Sequence, residues 1–318
     1  MLADVRVETN SAAAAAPPSA EPQVGPAAPI KGRSLWQDAG SRFIRNRAAL
    51  VSVIVLALVV LFTFVGPLFA AWSIEKIDWS IIGMVADKGG PSIATGHYFG
   101  ADEVGRDLFS RVIQGTQISL AVGILGSAVA VIVGTLYGAI AGYFGGRLDS
   151  AMMRLVDIIY SIPFLFVLIL LLIMFGRSFV VLFLGIGLIS WLGMARVVRG
   201  QTLTLKNREF VEAAIATGVK PLAVVFRHIV PNLLGIVVVY ATLLIPEIIL
   251  LESFISFLGL GIQEPNTSLG ALISEGAQTM QYGELWQIGF PLAFFVIILF
   301  SFFFAGDGLR DALDPKDR

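Results

Sequence analysis

The segment AALVSVIVLALVVLFTFVGPLFAA, at residues 48–71, contains no charged side chain and only two hydroxyl side chains. An α-helix needs about 20 mostly apolar residues to cross the hydrocarbon core of a bilayer. This stretch therefore predicts a membrane-spanning helix. Because the apolar run starts only near residue 48, we interpret it as an uncleaved anchor and not as a signal peptide.

Further apolar windows of similar length follow along the chain. They lie at about 116–141, 155–175, 179–198, 235–260 and 285–306. Only Gly176, Arg177 and Ser178 separate the third span from the fourth, which is typical of a tight turn. The pattern predicts an all-α integral membrane protein with six transmembrane helices.

The composition supports a membrane protein and argues against several other classes. Of 318 residues, 56% are hydrophobic and 14% are charged, whereas soluble domains carry about a quarter charged residues. The net charge of −1 gives no basic field for nucleic acid. Cysteine is absent, which excludes disulfides and thiolate ligands. The two histidines, His97 and His228, are far apart in the sequence, so no histidine metal site is expected.

Three glycines recur every four residues in the second span, at Gly134, Gly138 and Gly142. This spacing places them on one helix face, where a neighbouring helix can approach closely. We expect them to serve helix packing within the chain.

The distribution of lysine and arginine predicts the orientation, since cytoplasmic loops carry the excess. With the N-terminus inside, 17 of the 22 basic residues fall in inside segments. Both termini are therefore expected in the cytoplasm. The first 34 residues are rich in alanine and proline, which predicts a disordered cytoplasmic tail.

The long outside loop, 72–115, contains HYFGADEVGRDLFSRVIQGTQISL from residue 97 onward. Its glycines predict turns that lead into a short amphipathic helix at 107–113. The carboxylates of Asp102, Glu103 and Asp107 form a cluster, but their spacing is not that of a calcium loop and Arg106 lies among them. No metal site is predicted there.

The long inside segment, 196–232, contains ARVVRGQTLTLKNREFVEAAIATGVKPLAVVFRHIVPN from residue 195. Asn207 is a suitable N-cap for a helix that Gly218 ends. Pro221 suits the first turn of a second helix, expected to end before Pro231. The small Ala213 and Ala214 would expose backbone for close docking. The alternative interpretation is an ordinary basic loop.

This segment resembles the EAA loop of ABC importer permeases of the type I fold. The resemblance is carried by Glu212, Ala213, Ala214, Gly218, His228, Ile229, Pro231 and Asn232. The outside stretch quoted above and SFLGLGIQEPNTSLGALI at 256–273 are similar to signatures of the peptide and nickel permeases. The opening SLWQDAGSRFIRNRAA at 34–49 and the ending GDGLRDALDPKDR at 306–318 resemble the C-type permease of bacterial oligopeptide importers most closely.

The resemblance implies a division of the chain and a set of partners. It places an N-terminal permease segment at 35–90, a type I core with the coupling loop at 116–306, and a cytoplasmic tail at 307–318. It implies coupling to the ATPase through Glu212, Ala213, Ala214, Gly218, His228 and Pro231. The implied partners are a second homologous permease, two ATPase subunits, an extracytoplasmic peptide-binding protein, the peptide substrate and membrane lipid.

Two features limit or sharpen this resemblance. Ser268, Leu269 and Gly270 stand where a tryptophan–glycine pair is common in the family, so contacts of that tryptophan cannot be assigned here. No glycine–lysine dipeptide occurs, so the chain has no phosphate-binding GxxxxGK[ST] loop. We expect no cofactor in this chain and no enzymatic activity, with ATP and Mg bound by the partner ATPases.

Two carboxylates fall inside the fifth predicted span, at Glu247 and Glu252. A charge at bilayer depth costs about 2.5–3.5 kcal/mol on insertion scales, so such residues face protein or water. Five residues of helix set the two about 140° apart, and Pro246 predicts a kink. Either carboxylate could line the peptide path and meet a substrate amino group, while Glu252 could instead bond to a neighbouring helix.

Other functions compete with that of a peptide importer. The same family includes permeases for nickel and other small solutes. A proton-coupled secondary transporter could use Glu247 or Glu252 as a relay, but leaves the EAA-like loop unexplained. An intramembrane hydrolase is disfavoured because neither histidine lies in a predicted span.

Overall fold

The computed structural model describes residues 35–313, and this part of the chain is helical without β-strands. The α-helices are α1 Leu35–Arg45, α2 Arg47–Phe69, α3 Val85–Lys88, α4 Leu108–Phe144, α5 Gly146–Ser161, α6 Phe164–Phe175, α7 Phe179–Leu205, α8 Glu209–Ala216, α9 Pro221–Val224, α10 Val230–Phe257, α11 Leu269–Thr279 and α12 Leu285–Leu313. A π-helical turn, Val225–Ile229, joins α9 to α10, and a 3-10 turn, Met280–Tyr282, follows α11.

The helices that can cross a membrane confirm the predicted spans. Within residues 35–313, α2, α4, α7, α10 and α12 are long and apolar enough, and the α5–α6 pair makes a sixth span if it is counted as one. The span predicted at 155–175 falls on that pair and is broken within it, because its two parts are bent by 78°. Pro163 explains the break, since proline disfavours helical backbone at the residue before it.

The second span is longer than predicted because it absorbs the short outside helix. Asp107 caps α4, and its carboxylate accepts a hydrogen bond from the Ser110 backbone N–H at 2.9 Å. The helix then continues without a break for 37 residues to Phe144. The prediction of a separate helix at 107–113 is therefore wrong, since nothing in its sequence ends the helix before the apolar span.

The centre of the bundle is the contact between α4 and α7, and the three spaced glycines lie in it. A Cβ atom at Gly134 would be 2.6 Å from Met194 Cβ, and one at Gly142 would be 2.7 Å from Thr202 Cβ. At Gly138 a Cβ would collide with the Ala195 carbonyl oxygen. The prediction that these glycines serve packing within the chain is confirmed.

The structure describes only part of the segments predicted at the two ends of the chain. The alanine- and proline-rich tail, 1–34, lies outside the described residues, as do the last five residues of the predicted tail 307–318. The expected boundary at 306 is not a break in the structure, because α12 continues to Leu313.

Candidate coupling segment and membrane carboxylates

The segment between α7 and α10 contains the residues for which the resemblance implies coupling. Helix α8 begins one residue later than predicted, with Arg208 and not Asn207 at the N-cap. The Asn207 amide instead donates to the Leu203 carbonyl of α7 at 3.4 Å. Glu209 and Glu212 lie in the first turn of α8, where their charge is favoured by the helix dipole.

Gly218 ends α8 as predicted. Its φ of +82° lies in the left-handed region, which costs little only for glycine. The Gly218 N–H donates to the Ile215 carbonyl at 2.9 Å, and the Val219 N–H donates to the Ala214 carbonyl at 3.1 Å. These two bonds form a Schellman motif. Glycine is required at position 218 by its backbone conformation and not by close packing, since a Cβ atom there would meet nothing within 4 Å.

The second half of the segment differs from the prediction. Pro221 begins α9 as expected, but the helix does not end before Pro231. The π-helical turn shifts the hydrogen-bond register, and the Val230 N–H donates to the Val225 carbonyl. Pro231 then follows directly after the π-helical turn, as the second residue of α10. Segment and span therefore form one continuous helical unit from Pro221 to Phe257.

Helix α8 turns one face inward and the other outward. Val211 and Ala214 are buried against the chain, with exposed fractions of 0% and 7%. The expectation that Ala214 exposes backbone for docking is therefore not met, because Ala214 lies on the inner face of α8, which packs against α9 and the π-helical turn. The opposite face, which we call the outer face of α8, is exposed and consists of Glu209, Glu212, Ala213 and Ala216.

His228 and Pro231 lie on the other side of the glycine turn from this face. His228 is half-buried in the π-helical turn, and its carbonyl accepts a hydrogen bond from the Asn232 side-chain amide at 2.6 Å. Pro231 is exposed. The six predicted coupling residues thus share one segment, but only Glu212 and Ala213 lie on the outer face of α8.

An ion pair next to this segment was missed by sequence reasoning. Arg199 of α7 donates to both carboxylate oxygens of Asp149 in α5, at 2.5 and 2.6 Å. Two-point pairs of this kind fix the orientation of both side chains. Opposite charges in two inside segments were the only sequence signal, and they do not specify a pairing.

Glu252 is enclosed by hydroxyl groups. Its carboxylate has an exposed fraction of 0% and accepts hydrogen bonds from Ser256 at 2.7 Å, Ser119 at 2.9 Å and Ser253 at 3.2 Å. Ser119 lies on α4, and its hydroxyl also accepts from the Leu269 N–H at the start of α11. Glu252 therefore joins α4, α10 and α11. This environment fits the interpretation in which Glu252 bonds to a neighbouring helix, and not the one in which it lines the peptide path.

Glu247 has the opposite environment. It is exposed in the middle of α10, and no side chain among residues 35–313 donates a hydrogen bond to it. About 15 Å of helix separates it from the end of α10 at Phe257, which places it near the middle of a 30 Å hydrocarbon core. A carboxylate at this depth requires water or a partner protein on its exposed side.

Of the carboxylates at Asp102, Glu103 and Asp107, Asp102 binds two arginines. Arg111, 3% exposed, contacts Asp102 at 2.6 Å, and Arg106 contacts Asp102 at 2.7 Å. Arg106 also donates to Glu264 at 2.6 Å, which holds the pKa of Glu264 below its ordinary value. Glu275 completes this group, the outer charge cluster, which connects the loop before α4 with the segment after α10.

Comparison with known proteins identifies the relatives of this chain. Residues 134–318 match the family described as binding-protein-dependent transport system inner membrane component. Residues 34–84 match the N-terminal TM domain of oligopeptide transport permease C.

Individual relatives align over nearly the whole chain. The oligopeptide transport system permease protein OppC of Salmonella typhimurium is 56% identical, covering 91% of this chain and 94% of the relative. That of Haemophilus influenzae is 52% identical, covering 91% of both. The dipeptide transport system permease protein DppC of Bacillus subtilis is 38% identical, covering 90% of this chain and 87% of the relative.

Proposed function

The chain belongs to the family of binding-protein-dependent transport system inner membrane components, and we propose how its parts act within an ATP-driven peptide importer. It is a multi-pass permease subunit of a bacterial cytoplasmic membrane, with the type I fold of this family. Its transported solutes are oligopeptides or dipeptides, the solutes for which its relatives are named.

In this proposal, the outer face of α8 docks against an ATPase subunit and transmits its closure to the membrane helices. The observation that carries this step is the exposed face of two carboxylates and two alanines on a helix whose other face is anchored by Val211 and Ala214. Small side chains permit close approach of a partner. The continuous helix from Pro221 into α10 offers a rigid connection to the span.

The importer requires further chains in this proposal. A second homologous permease completes the path, two ATPase subunits bind ATP and Mg, and an extracytoplasmic binding protein delivers the peptide. Both termini and α8 lie on the cytoplasmic side, as the distribution of basic residues supports. Glu212 and Ala213 act directly in coupling, while Gly218, His228, Pro231 and Ala214 maintain the shape of the segment.

The alternatives are less well supported by the geometry. The relatives are named for peptides, which favours peptides over nickel. A proton relay needs carboxylates that exchange protons with water, which argues against Glu252 but not against the exposed Glu247, and a secondary transporter would leave the outer face of α8 without a role. Glu247 is retained as a residue of the peptide path.

Reconstituted complex tests the proposal. The chain is purified with its co-purifying subunits and placed in vesicles with the binding protein, and uptake of a labelled peptide is measured. We expect uptake to require ATP hydrolysis and to be unchanged by a proton gradient. Uptake that follows the proton gradient without ATP would contradict the proposal.

A further inference from the structure

A group of exposed polar side chains lies along one side of the helices α5, α7 and α10. Arg196 of α7 forms an ion pair with Asp157 of α5 at 2.7 Å. The guanidinium also stacks over the ring of Tyr160, 4.4 Å from its centroid. These groups are open on one side, since Tyr160 is 59% exposed and the side chains of Arg196 and Asp157 are 42% and 66% exposed.

Tyr240 of α10 extends this group toward the middle of the membrane. A Cβ atom at Gly193 would lie 3.1 Å from the Tyr240 hydroxyl, so this ring packs against α7. Gly193 precedes Arg196 by three residues, which places both on one face of α7. The Tyr240 hydroxyl also lies within electrostatic range of Tyr160 and Glu247.

Glu247 completes the arrangement at mid-depth. It follows Tyr240 by seven residues, about two helical turns, and so lies on the same face of α10. We name the set Glu247, Tyr240, Tyr160, Arg196 and Asp157 the polar strip. It runs from the bilayer centre toward the cytoplasmic side of the membrane, and lipid would be an unfavourable neighbour for its three charged side chains, Glu247, Arg196 and Asp157.

We propose that the polar strip lines the inner half of a water-filled peptide path, in which Glu247 accepts the protonated amino terminus of the peptide. This inference rests on the proposed importer function. It adds the site at which the permease recognises the positive charge of the peptide. A carboxylate between low-dielectric walls concentrates cations near it. The paired Arg196 and Asp157 give the cytoplasmic end of the polar strip both a positive and a negative charge. Such a pair suits a zwitterionic substrate.

Single cysteines test the strip, since the natural chain contains none. Tyr240→Cys, and Tyr160→Cys as a second position, are introduced into the complete complex in lipid nanodiscs. Rates of modification on this chain are measured with cationic and anionic methanethiosulfonate reagents. The matched control is Val238→Cys, which is exposed but about 180° around α10 from Glu247.

We expect both strip cysteines to react at least about tenfold faster than the control. We also expect the ratio of the cationic to the anionic modification rate to be about tenfold higher at the strip cysteines than at a free thiol in solution. Adding Glu247→Gln should return that ratio to the free-thiol value. Strip cysteines that react no faster than Val238→Cys, or a ratio unchanged by Glu247→Gln, would overturn the inference. ATP-dependent uptake by the unaltered complex is measured in parallel. If that uptake is normal while the strip cysteines give the contrary result, the inference about the polar strip fails and the proposed importer function stands.

Discussion

Arg111 and Glu275, 164 residues apart in the chain, are joined by two hydrogen bonds of 2.6 and 3.1 Å. Arg111 is on α4 and Glu275 is on α11, so the pair fixes the two helices to each other at the outer end of the bundle. The Arg111 guanidinium is 3% exposed and also contacts Asp102. Its removal would leave two carboxylates close together without their shared cation.

Arg111→Met should therefore destabilise this end of the bundle by about 2 kcal/mol, because Glu275 loses its two hydrogen bonds to Arg111 and Asp102 keeps only Arg106. The measurement is the thermal midpoint of the purified complex. Glu264→Gln is the matched control in the same outer charge cluster. Glu264 is 64% exposed, so its loss should cost less than about 1 kcal/mol. Equal effects of the two substitutions would contradict the assigned role of Arg111.

The pH dependence of the same cluster follows from Glu264. Arg106 lowers the pKa of Glu264, so the folded protein favours its charged form. A lowered pKa contributes stability above the ordinary value of a glutamate, and this contribution is lost as the pH falls through the lowered pKa. Thermal midpoints should fall on acidification less steeply in Glu264→Gln than in the natural chain. Parallel pH profiles would contradict this contribution.

Glu252 should be sensitive to loss of its oxygen atoms. Glu252→Ala leaves the hydroxyls of Ser119, Ser253 and Ser256 without their acceptor, at about 1–3 kcal/mol for each unsatisfied buried group. Glu252→Gln retains one carbonyl oxygen and should be milder. Thermal midpoints and membrane levels of both variants provide the measurement. A harmless Glu252→Ala would show that this group does not hold α4, α10 and α11 together.

The effect of a substitution at Gly218 should depend on how much free energy the new residue needs to adopt the left-handed backbone conformation. Gly218→Val should strain the turn by about 1–2 kcal/mol or more and weaken coupling, because its φ is +82°. Gly218→Asn should be milder, since asparagine enters this region more readily. The measurement is peptide-stimulated ATP turnover at equal membrane level. Normal turnover in Gly218→Val would contradict the importance of the turn.

The orientation can be tested with exposed positions. Ala94→Cys and Gln281→Cys should react with an impermeant thiol reagent in intact cells, whereas Lys220→Cys should require opened cells. All three residues are exposed, unlike Ser268, which is fully buried at the cap of α11. The reversed labelling pattern would contradict cytoplasmic termini.

Sequence predicted the spans well because bilayer thickness fixes the length of an apolar helix. The bend at Pro163 had a signal, since proline within an apolar window interrupts a helix. The burial of Ala214 had none, because it depends on how α8 lies against α9 and the π-helical turn. The separation of Glu247 and Glu252 in angle was predictable, but their partners depend on Ser119 and other residues distant in sequence.

The central claim is that the outer face of α8 docks against the ATPase. The most direct measurement combines ATPase co-purification with ATP-dependent peptide uptake for Ala213→Leu together with Ala216→Leu. Leucine preserves helix propensity, and both positions are exposed, so the segment should fold while docking is blocked. Ala86→Leu, an exposed alanine in α3 of the outside loop, controls for added volume. We predict that ATPase binding and uptake fail in the double variant and that ATPase binding persists in the control. Normal ATPase binding and uptake in the double variant would contradict the claim.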